Sequence, residues 1–219
     1  MKKGKLCMKD IELFSGLSDK DRELIPKLAR SKIIKKGETL FEEGSPCNSI
    51  YLICSGKIAL IKYTEDGKKV ILDIAGENSI LGEATIFEDM SNTFFAIAIE
   101  DVFCCVCHKE DFIILLGIAD IAVKMVAYYV NKLNSYTENI YNFAYKDVRD
   151  RVLSMLTNLA NKYGEKRDDG LALDFYLSHE DISNMAGASR VMVTNVINDL
   201  KSDNLISLDR RKYVIHKKY

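Results

Sequence analysis

A chain of 219 residues is long enough for two modest domains, and its 47% of hydrophobic residues is the apolar content of an ordinary globular protein. Charged residues make up 29% of the chain and the formal net charge is −1, which excludes a strong basic or acidic field and argues against extensive disorder. Whole-chain charge therefore favours no class of partner.

The N-terminal segment begins with basic residues, but no apolar run of signal-peptide length follows them, so we expect a cytoplasmic protein. The most apolar stretch, residues 112–130, contains Asp120 and Lys124 and has the periodicity of a helix, which predicts a helix that packs on a protein partner and no association with a membrane. Cysteines stand at positions 7, 47, 54, 104, 105 and 107. In a chain of this kind we expect reduced thiols rather than a disulfide framework.

Residues 33–108 alternate short β-rich runs with turn pairs that contain glycine, a spacing typical of antiparallel sheets. The clearest hairpin signal is the pair Asp66 and Gly67 between the runs 58–63 and 70–74, because both residue types tolerate positive φ. We predict an antiparallel barrel or roll in this region.

The period changes to that of a helix from residue 111. Apolar residues then recur at steps of three and four, at Ile118, Ala122, Met125, Tyr129, Leu133, Tyr136, Ile140 and Phe143. So long and narrow a stripe predicts a parallel coiled coil with a second copy of the chain. The alternative is a helix that lies on its own β-roll. A second helical stretch, residues 148–163, precedes the charged segment 165–170, for which we expect a surface connection.

Residues 178–202 have the pattern of two short helices joined by a tight turn. Ser178 and Asp181 are spaced as in a capping box, which predicts that a helix begins there. Gly187 can take the positive φ of a tight corner, and Ser189 is placed to cap the second helix. The predicted buried stripe of the second helix is Val193, Val196, Ile197 and Leu200.

The outward face of this second helix is mostly polar and suits the major groove of DNA. Arg190 can read guanine or hold a phosphate, Asn195 can pair with adenine, and Val191 can contact a thymine methyl. The runs 205–208 and 213–216 flank a basic segment, which predicts a β-hairpin wing that contacts phosphates. The predicted DNA-binding residues are Ser178, Ser189, Arg190, Val191, Thr194, Asn195, Lys201, Arg210, Arg211 and Lys212.

Three segments together resemble the Crp/Fnr family of transcription regulators: 76–87 (GENSILGEATIF), 142–151 (NFAYKDVRDR), and 178–206 with its GASR turn. The resemblance covers nearly the whole chain. It implies an α+β protein with an N-terminal antiparallel β-roll of the cyclic-nucleotide-binding type in residues 1–117, a dimerisation helix in 118–146 and a winged helix-turn-helix in 147–219. The implied function is a homodimeric DNA-binding regulator, switched by a small-molecule or redox signal in the roll, with double-stranded DNA and RNA polymerase as partners.

The chain departs from the cAMP-binding members of that family at residues 91–95 (SNTFF), where those members carry an Arg-Ser pair that holds the cyclic phosphate. Without this arginine we expect an effector other than cAMP, and the aromatic pair at 94 and 95 favours an apolar or aromatic small molecule. The predicted effector-binding residues are Gly82, Glu83, Ala84, Thr93, Phe94, Tyr129, Leu133, Tyr136 and Thr137.

The second helix of the helix-turn-helix also departs from the common family pattern, which has glutamate after the Ser-Arg pair and arginine four residues later. Here those positions are Val191 and Asn195. Loss of the glutamate removes a contact to cytosine, and the asparagine adds one to adenine. We therefore expect a palindromic operator with A/T-rich half-sites.

Residues 104–108 (CCVCH) are the densest group of soft ligands in the chain. Cys105 and Cys107 would share one face of a strand, but adjacent side chains alternate and no second ligand cluster accompanies them. We favour cysteine as a small apolar strand residue and expect no haem, iron–sulfur cluster or other metal. A haem-binding or redox-sensing member of the same family is the alternative.

The resemblance implies a switch in which an event in the roll repacks against the long helix and rotates the paired C-terminal domains about a hinge at Asp147. A regulatory module that binds no DNA would explain the roll but not residues 178–218. We expect no enzyme, because the Ser, Cys and His residues form no recognisable nucleophile–base motif.

Overall fold

The structure is a computed structural model that describes residues 11–83 and 91–216. It divides into two compact units, Met1–Lys132 and Leu133–Tyr219, so the division falls within the longest helix. Among the described residues, no single helix is both long and apolar enough to cross a membrane, although the bent pair Lys109–Leu116 and Ala119–Tyr145 meets that criterion jointly.

The first unit is built on two four-stranded antiparallel sheets. One has the strand order β1-β8-β3-β6 and the other β2-β7-β4-β5. The strands are β1 Ala29–Ile34, β2 Thr39–Phe41, β3 Ser49–Ser55, β4 Ile58–Tyr63, β5 Lys69–Ala75, β6 Ile80–Leu81, β7 Phe95–Ala98 and β8 Val102–His108. This arrangement confirms the antiparallel roll.

Short helices precede and follow these strands. They are a 3-10 turn at Glu12–Phe14, α1 Asp19–Arg22, α2 Ile25–Leu28 and α3 Lys109–Leu116. The predicted hairpin is present between β4 and β5, with Gly67 at a φ of +78°. Its turn is fixed by the Thr64 hydroxyl, which donates to Asp66 Oδ1 over 2.5 Å.

Strand β8 contributes side chains to two separate apolar cores. Cys104 packs with Ile53 and Ile58 between the sheets, whereas Cys105 and Cys107 pack on the opposite side, in the core that also includes residues of α3. This alternation follows from the two-residue period of a strand. Adjacent cysteines of β8 therefore lie in different cores.

The longest helix, α4, comprises Ala119–Tyr145. In its first half Ile121 is fully buried and Met125 is 6% exposed, because both pack into the core of the roll with α3. The predicted coiled-coil stripe is therefore wrong for this half, where the predicted positions Met125 and Tyr129 pack on the protomer's own roll. The exposed apolar residues along α4 are instead Val123, Val126, Val130, Leu133, Ile140, Tyr141, Phe143 and Tyr145.

The second unit packs three helices on a four-stranded antiparallel sheet with the order β11-β12-β10-β9. Its elements after α4 are α5 Val148–Tyr163, β9 Gly164–Arg167, β10 Gly170–Leu173, α6 His179–Ala186, α7 Arg190–Ser202, β11 Ile206–Asp209 and β12 Lys212–His216. The core is formed by buried side chains such as Leu156 of α5, Ile182 of α6 and Ile197 of α7.

The charged segment 165–170 is not the simple surface connection that the sequence suggested. It forms the β9–β10 hairpin, in which Leu171 pairs with Lys166 and Leu173 pairs with Gly164. The strand was missed because β9 is an edge strand with no buried residue, so it lacks the apolar alternation that marks a strand in sequence.

Candidate DNA-binding and effector sites

The first helix of the helix-turn-helix, α6, begins at the predicted capping box. The backbone N–H of Asp181 donates to Ser178 Oγ over 3.1 Å, and the backbone N–H of Ser178 donates to the Asp181 carboxylate over 3.1 Å. The Ser178 hydroxyl also donates to that carboxylate over 2.6 Å. Because its hydroxyl hydrogen is used within the cap, Ser178 holds the helix in place, and only its oxygen could additionally accept from another group.

The turn between the two helices contains Gly187 at a φ of +60°, as predicted. A Cβ at this position would lie 3.2 Å from the ring of Phe143, so the turn is packed closely against the end of α4. Arg151 of α5 completes this contact: its guanidinium lies 5.5 Å from the Phe143 ring centroid and donates to the carbonyl oxygens of Ala186 and Lys146 over 3.2 and 3.0 Å. These contacts join α4, α5 and α6.

The second helix, α7, is capped by Ser189, whose Oγ accepts from the Met192 backbone N–H over 3.2 Å. Val193, Ile197 and Leu200 are buried as predicted, and Val196 is half-buried. The opposite face exposes Arg190, Val191 and Asn195, and Val191 is 71% exposed. The N-terminal turn of α7 therefore presents a guanidinium, an apolar side chain and an amide to solvent.

The wing is the two-residue hairpin between β11 and β12, where Asp209 pairs with Lys212 across the turn. Arg210 and Arg211 occupy the turn at φ angles of +48° and +70°, and both are exposed. The Asp209 carboxylate accepts from Arg167 of the β9–β10 hairpin over 2.7 Å, which lowers the pKa of Asp209. The two hairpin tips are thereby joined.

Lys212, which the sequence predicts as a DNA contact, is half-buried. Its ammonium group donates to the carbonyl oxygen of Asp174, within the same unit. Sequence reasoning missed two other side chains of this region, Arg167 at the wing and His179 at the start of α6. His179 Nδ1 lies 2.9 Å from Thr194 Oγ1 of α7, a contact between residues distant in sequence that no local pattern marks.

The predicted effector region includes Gly82 and Glu83, whereas Ala84 lies outside the described residues. Gly82 has a φ of +83°, and a Cβ there would approach the Ser49 carbonyl oxygen to 2.3 Å, so glycine is required. The Glu83 carboxylate accepts from Lys132 of α4 over 3.3 Å. The side chains of Glu83 and Lys132 are largely buried, with exposed fractions of 22% and 17%.

A second contact joins this segment to α4. The Ile80 backbone N–H donates to the Tyr128 hydroxyl over 3.1 Å, and the Lys132 ammonium lies 5.8 Å from the Tyr128 ring centroid. Lys132 and Tyr128 were not predicted as site residues. They were missed because only the packing of α4 on the roll brings them to residues 80–83.

The remaining predicted effector residues lie in both units. In the first unit, Phe94 packs on Phe41 with the ring centroids 5.8 Å apart, Thr93 is exposed, and Tyr129 is half-buried against the roll core. In the second unit, Leu133 is exposed, Tyr136 is half-buried, and the Thr137 hydroxyl donates to the Leu133 carbonyl oxygen.

The cysteines of β8 have the environment of apolar core residues. Burial raises the pKa of Cys104 to about 12, of Cys105 to about 11 and of Cys107 to about 12. All three are free thiols, His108 next to them is exposed, and the described residues contain no group of three or more potential metal ligands. Cys54 is disulfide-bonded, which corrects the expectation of reduced thiols at that position.

Comparison with known proteins assigns both halves of the chain. Residues 31–117 match the cyclic nucleotide-binding domain, and residues 150–218 match the Crp-like helix-turn-helix domain. The anaerobic regulatory protein of Bacillus subtilis strain 168 is 30% identical over 202 residues, which span 90% of this chain and 84% of that protein. The chain belongs to the Crp/Fnr family of transcription regulators.

Other members of the Crp/Fnr family agree with this assignment. The CRP-like cAMP-activated global transcriptional regulator of Mycobacterium tuberculosis H37Rv is 26% identical over 206 residues, 93% of this chain and 91% of that protein. The structure of FixK2 from Bradyrhizobium japonicum superposes with a TM-score of 0.74 at 19% identity, over 87% of this chain and 93% of that chain, and so shares the fold. This chain is a DNA-binding transcription regulator with an effector-sensing domain.

Proposed function

We propose that this Crp/Fnr-family regulator binds a palindromic, A/T-rich operator as a homodimer. The proposal rests chiefly on the exposed N-terminal turn of α7. Val191 is an apolar side chain that is 71% exposed, and it does not contribute to the core of the domain. A thymine methyl group in the major groove would cover it, and Asn195 one turn later can pair with adenine.

Phosphate contacts complete the proposed surface. Arg210 and Arg211 at the wing tip are exposed cations, and Arg167 neutralises the one carboxylate of the turn, Asp209. Lys201 of α7 is half-buried. We assign phosphate contacts to the two wing arginines first, because both are exposed, whereas Lys212 is half-buried and donates one of its three hydrogens to the Asp174 carbonyl oxygen.

The exposed face of α4 supports the proposed homodimer. Val123, Val126, Val130, Leu133 and Ile140 are each more than half exposed, and their spacing alternates between three and four residues apart from one step of seven. This is the spacing of a two-stranded coiled coil. A second copy of α4 is the simplest partner that buries such a stripe, and a palindromic operator matches its two-fold symmetry.

The effector is proposed to be a small molecule other than cAMP. The segment 91–95 lacks the arginine that would hold a cyclic phosphate, and the Glu83 carboxylate is paired with Lys132. Because Lys132 and Tyr128 connect residues 80–83 to α4, a ligand that alters this segment would act on the dimerisation helix. We infer that ligand binding changes the geometry of the dimer, and we expect no enzymatic activity.

The decisive experiment is a selection from random-sequence duplexes with the purified full-length protein at a fixed salt concentration. We expect a two-fold symmetric, A/T-rich consensus. Val191→Glu should shift the central preference toward G·C pairs, and Asn195→Ala should relax one A·T position by about 1–3 kcal/mol. The exposed variant Asn198→Ala, further along the same face, serves as the matched control and should leave the consensus unchanged. A G·C-rich consensus with the unmodified protein would refute the proposed contacts.

A further inference from the structure

His179 connects the two helices of the helix-turn-helix. It is the first residue of α6, and its Nδ1 atom lies 2.9 Å from Thr194 Oγ1 of α7. Thr194 lies between Arg190 and Asn198 on the half-exposed side of α7, next to the proposed base-reading turn. The imidazole is therefore placed at the edge of the proposed DNA-binding surface and is only half-buried.

The direction of the hydrogen bond follows from the hydrogens available. The Thr194 hydroxyl has one hydrogen, which it donates to the Arg190 carbonyl oxygen over 2.9 Å. While the hydroxyl donates to this carbonyl oxygen, Thr194 Oγ1 accepts from the imidazole, so Nδ1 of His179 carries a hydrogen. In the neutral ring Nε2 is a lone-pair acceptor, which repels a phosphate oxygen. In the cationic ring Nε2 becomes a second donor, which attracts one.

The charges around His179 oppose the cationic ring in the free protein. Burial lowers its pKa, and Lys201 and Arg190 of α7 lower it further. Glu180 and Asp181 follow it in α6, but the Asp181 carboxylate is engaged in the capping box. From α5, Arg151 reaches α6 only at its other end, at Ala186. The surroundings of His179 in the free protein therefore disfavour the cationic ring.

We propose that His179 couples DNA binding to the uptake of one proton per protomer, with Nε2 taking the proton from solvent and donating it to a backbone phosphate in the complex. The proposal rests on the DNA-binding surface proposed above. Phosphates that pair with Arg190 and Lys201 remove the repulsion that disfavours the cationic ring, and they add an attraction for it. The protonated ring still donates from Nδ1 to Thr194, so the contact between the helices is kept.

The sign of the pH dependence follows from this linkage. The pKa of His179 is higher in the complex than in the free protein, so the complex binds more protons between the two values. DNA affinity rises as the pH falls through this range, and the gain is lost as the pH rises through the pKa of the complex. The slope is at most about tenfold per pH unit for each protomer, because each protomer takes up no more than one proton at this group.

The test uses the full-length protein and a fluorescently labelled duplex of mixed sequence, with anisotropy measured at constant ionic strength from about pH 8 to about pH 5.5. We expect affinity to increase toward low pH with the unmodified protein. His179→Gln should bind with a much flatter pH profile, because glutamine can still donate to Thr194 but does not titrate in this range. His216→Gln is the matched control and should keep the original slope, since His216 Nδ1 faces the Asp169 carbonyl oxygen in the same unit.

The outcomes separate this inference from the proposed function. If His179→Gln binds DNA with the same slope as the unmodified protein, the proton linkage is wrong although DNA binding stands. If the unmodified protein binds no duplex at any pH even at low salt, where non-specific phosphate contacts require no effector-induced dimer geometry, the DNA-binding surface itself is wrong. NMR titration of the His179 ring provides a direct second measurement, because its pKa must be higher with the duplex than without it. An equal or lower value in the complex overturns the proposal.

Discussion

Replacement of the wing turn by Arg210→Asn with Arg211→Gly is expected to stabilise the C-terminal domain and weaken its DNA complex. Both arginines have positive φ, and the turn between Asp209 and Lys212 has only these two central residues. Asn followed by Gly is the preferred pair in such a turn, because these residues adopt the left-handed conformation with the least steric penalty.

The expected gain follows from the two backbone angles. The Cβ of an arginine at a φ of +48° or +70° makes this conformation unfavourable by about 1 kcal/mol or more relative to glycine or asparagine. The double substitution should therefore raise the free energy of unfolding by about 1–2 kcal/mol, which for a domain of this size raises the midpoint temperature by several degrees. Removal of two phosphate contacts should lower the salt dependence of DNA binding by about two counterions per protomer.

Two measurements on the same protein samples check this prediction. Thermal unfolding without DNA gives the stability of the domain, and fluorescence anisotropy with a duplex at several salt concentrations gives the affinity and its salt slope. Arg210→Lys with Arg211→Lys is the control, because it keeps both charges and the unfavourable backbone conformation. It should leave the stability and the salt slope nearly unaltered, because each lysine still neutralises one phosphate.

The reasoning fails if the Asn–Gly double variant is no more stable than the unmodified protein, since the turn would then not be strained. It fails at the second step if stability rises but the salt slope of DNA binding is unaltered. In that case the wing tip does not contact phosphates.

Three further outcomes are expected. Ser178→Ala removes the side-chain cap of α6 and should lower the free energy of unfolding by about 1 kcal/mol in denaturant titrations, and an unaltered midpoint would contradict the role of the capping box. The three β8 thiols should react with iodoacetamide at neutral pH at least roughly a hundredfold more slowly than in the urea-unfolded chain and should accelerate only as the pH approaches their raised pKa values, whereas rapid native-state labelling would show that they are accessible thiolates. Leu133→Glu should convert the proposed dimer to monomer in sedimentation velocity, while the neighbouring exposed substitution Asn134→Glu should not, and a dimeric Leu133→Glu would place the interface elsewhere.

The helix-turn-helix could be predicted closely from sequence because its boundaries depend on local chemistry. Ser178 and Asp181 form a cap within four residues, Gly187 supplies a left-handed turn, and Ser189 caps the next helix. Each signal involves neighbours in the chain. The roll was recognisable for the same reason, through the Asp66–Gly67 hairpin and the regular spacing of its turns.

The features that were missed depend on residues distant in sequence. The stripe on α4 was misplaced in its first half because periodicity alone cannot tell whether Met125 faces a second chain or its own roll. Lys132 reaches Glu83 across 49 residues, and His179 reaches Thr194 only after the turn has folded. Such contacts are set by packing, which a single sequence does not display.

Strand β8 is the single layer of backbone between two packed hydrophobic cores, with Cys104 in one core and Cys105 and Cys107 in the other. Protein interiors are packed nearly as densely as organic crystals, so neither core can accept an added group unless a surrounding strand or helix moves. β8 ends at His108 and α3 begins at the next residue, and the axes of α3 and α4 form a bend of 105°. We therefore expect that a ligand which adds volume beside Phe94 would push β8 outward, and that α3 would pass this shift on to the start of α4.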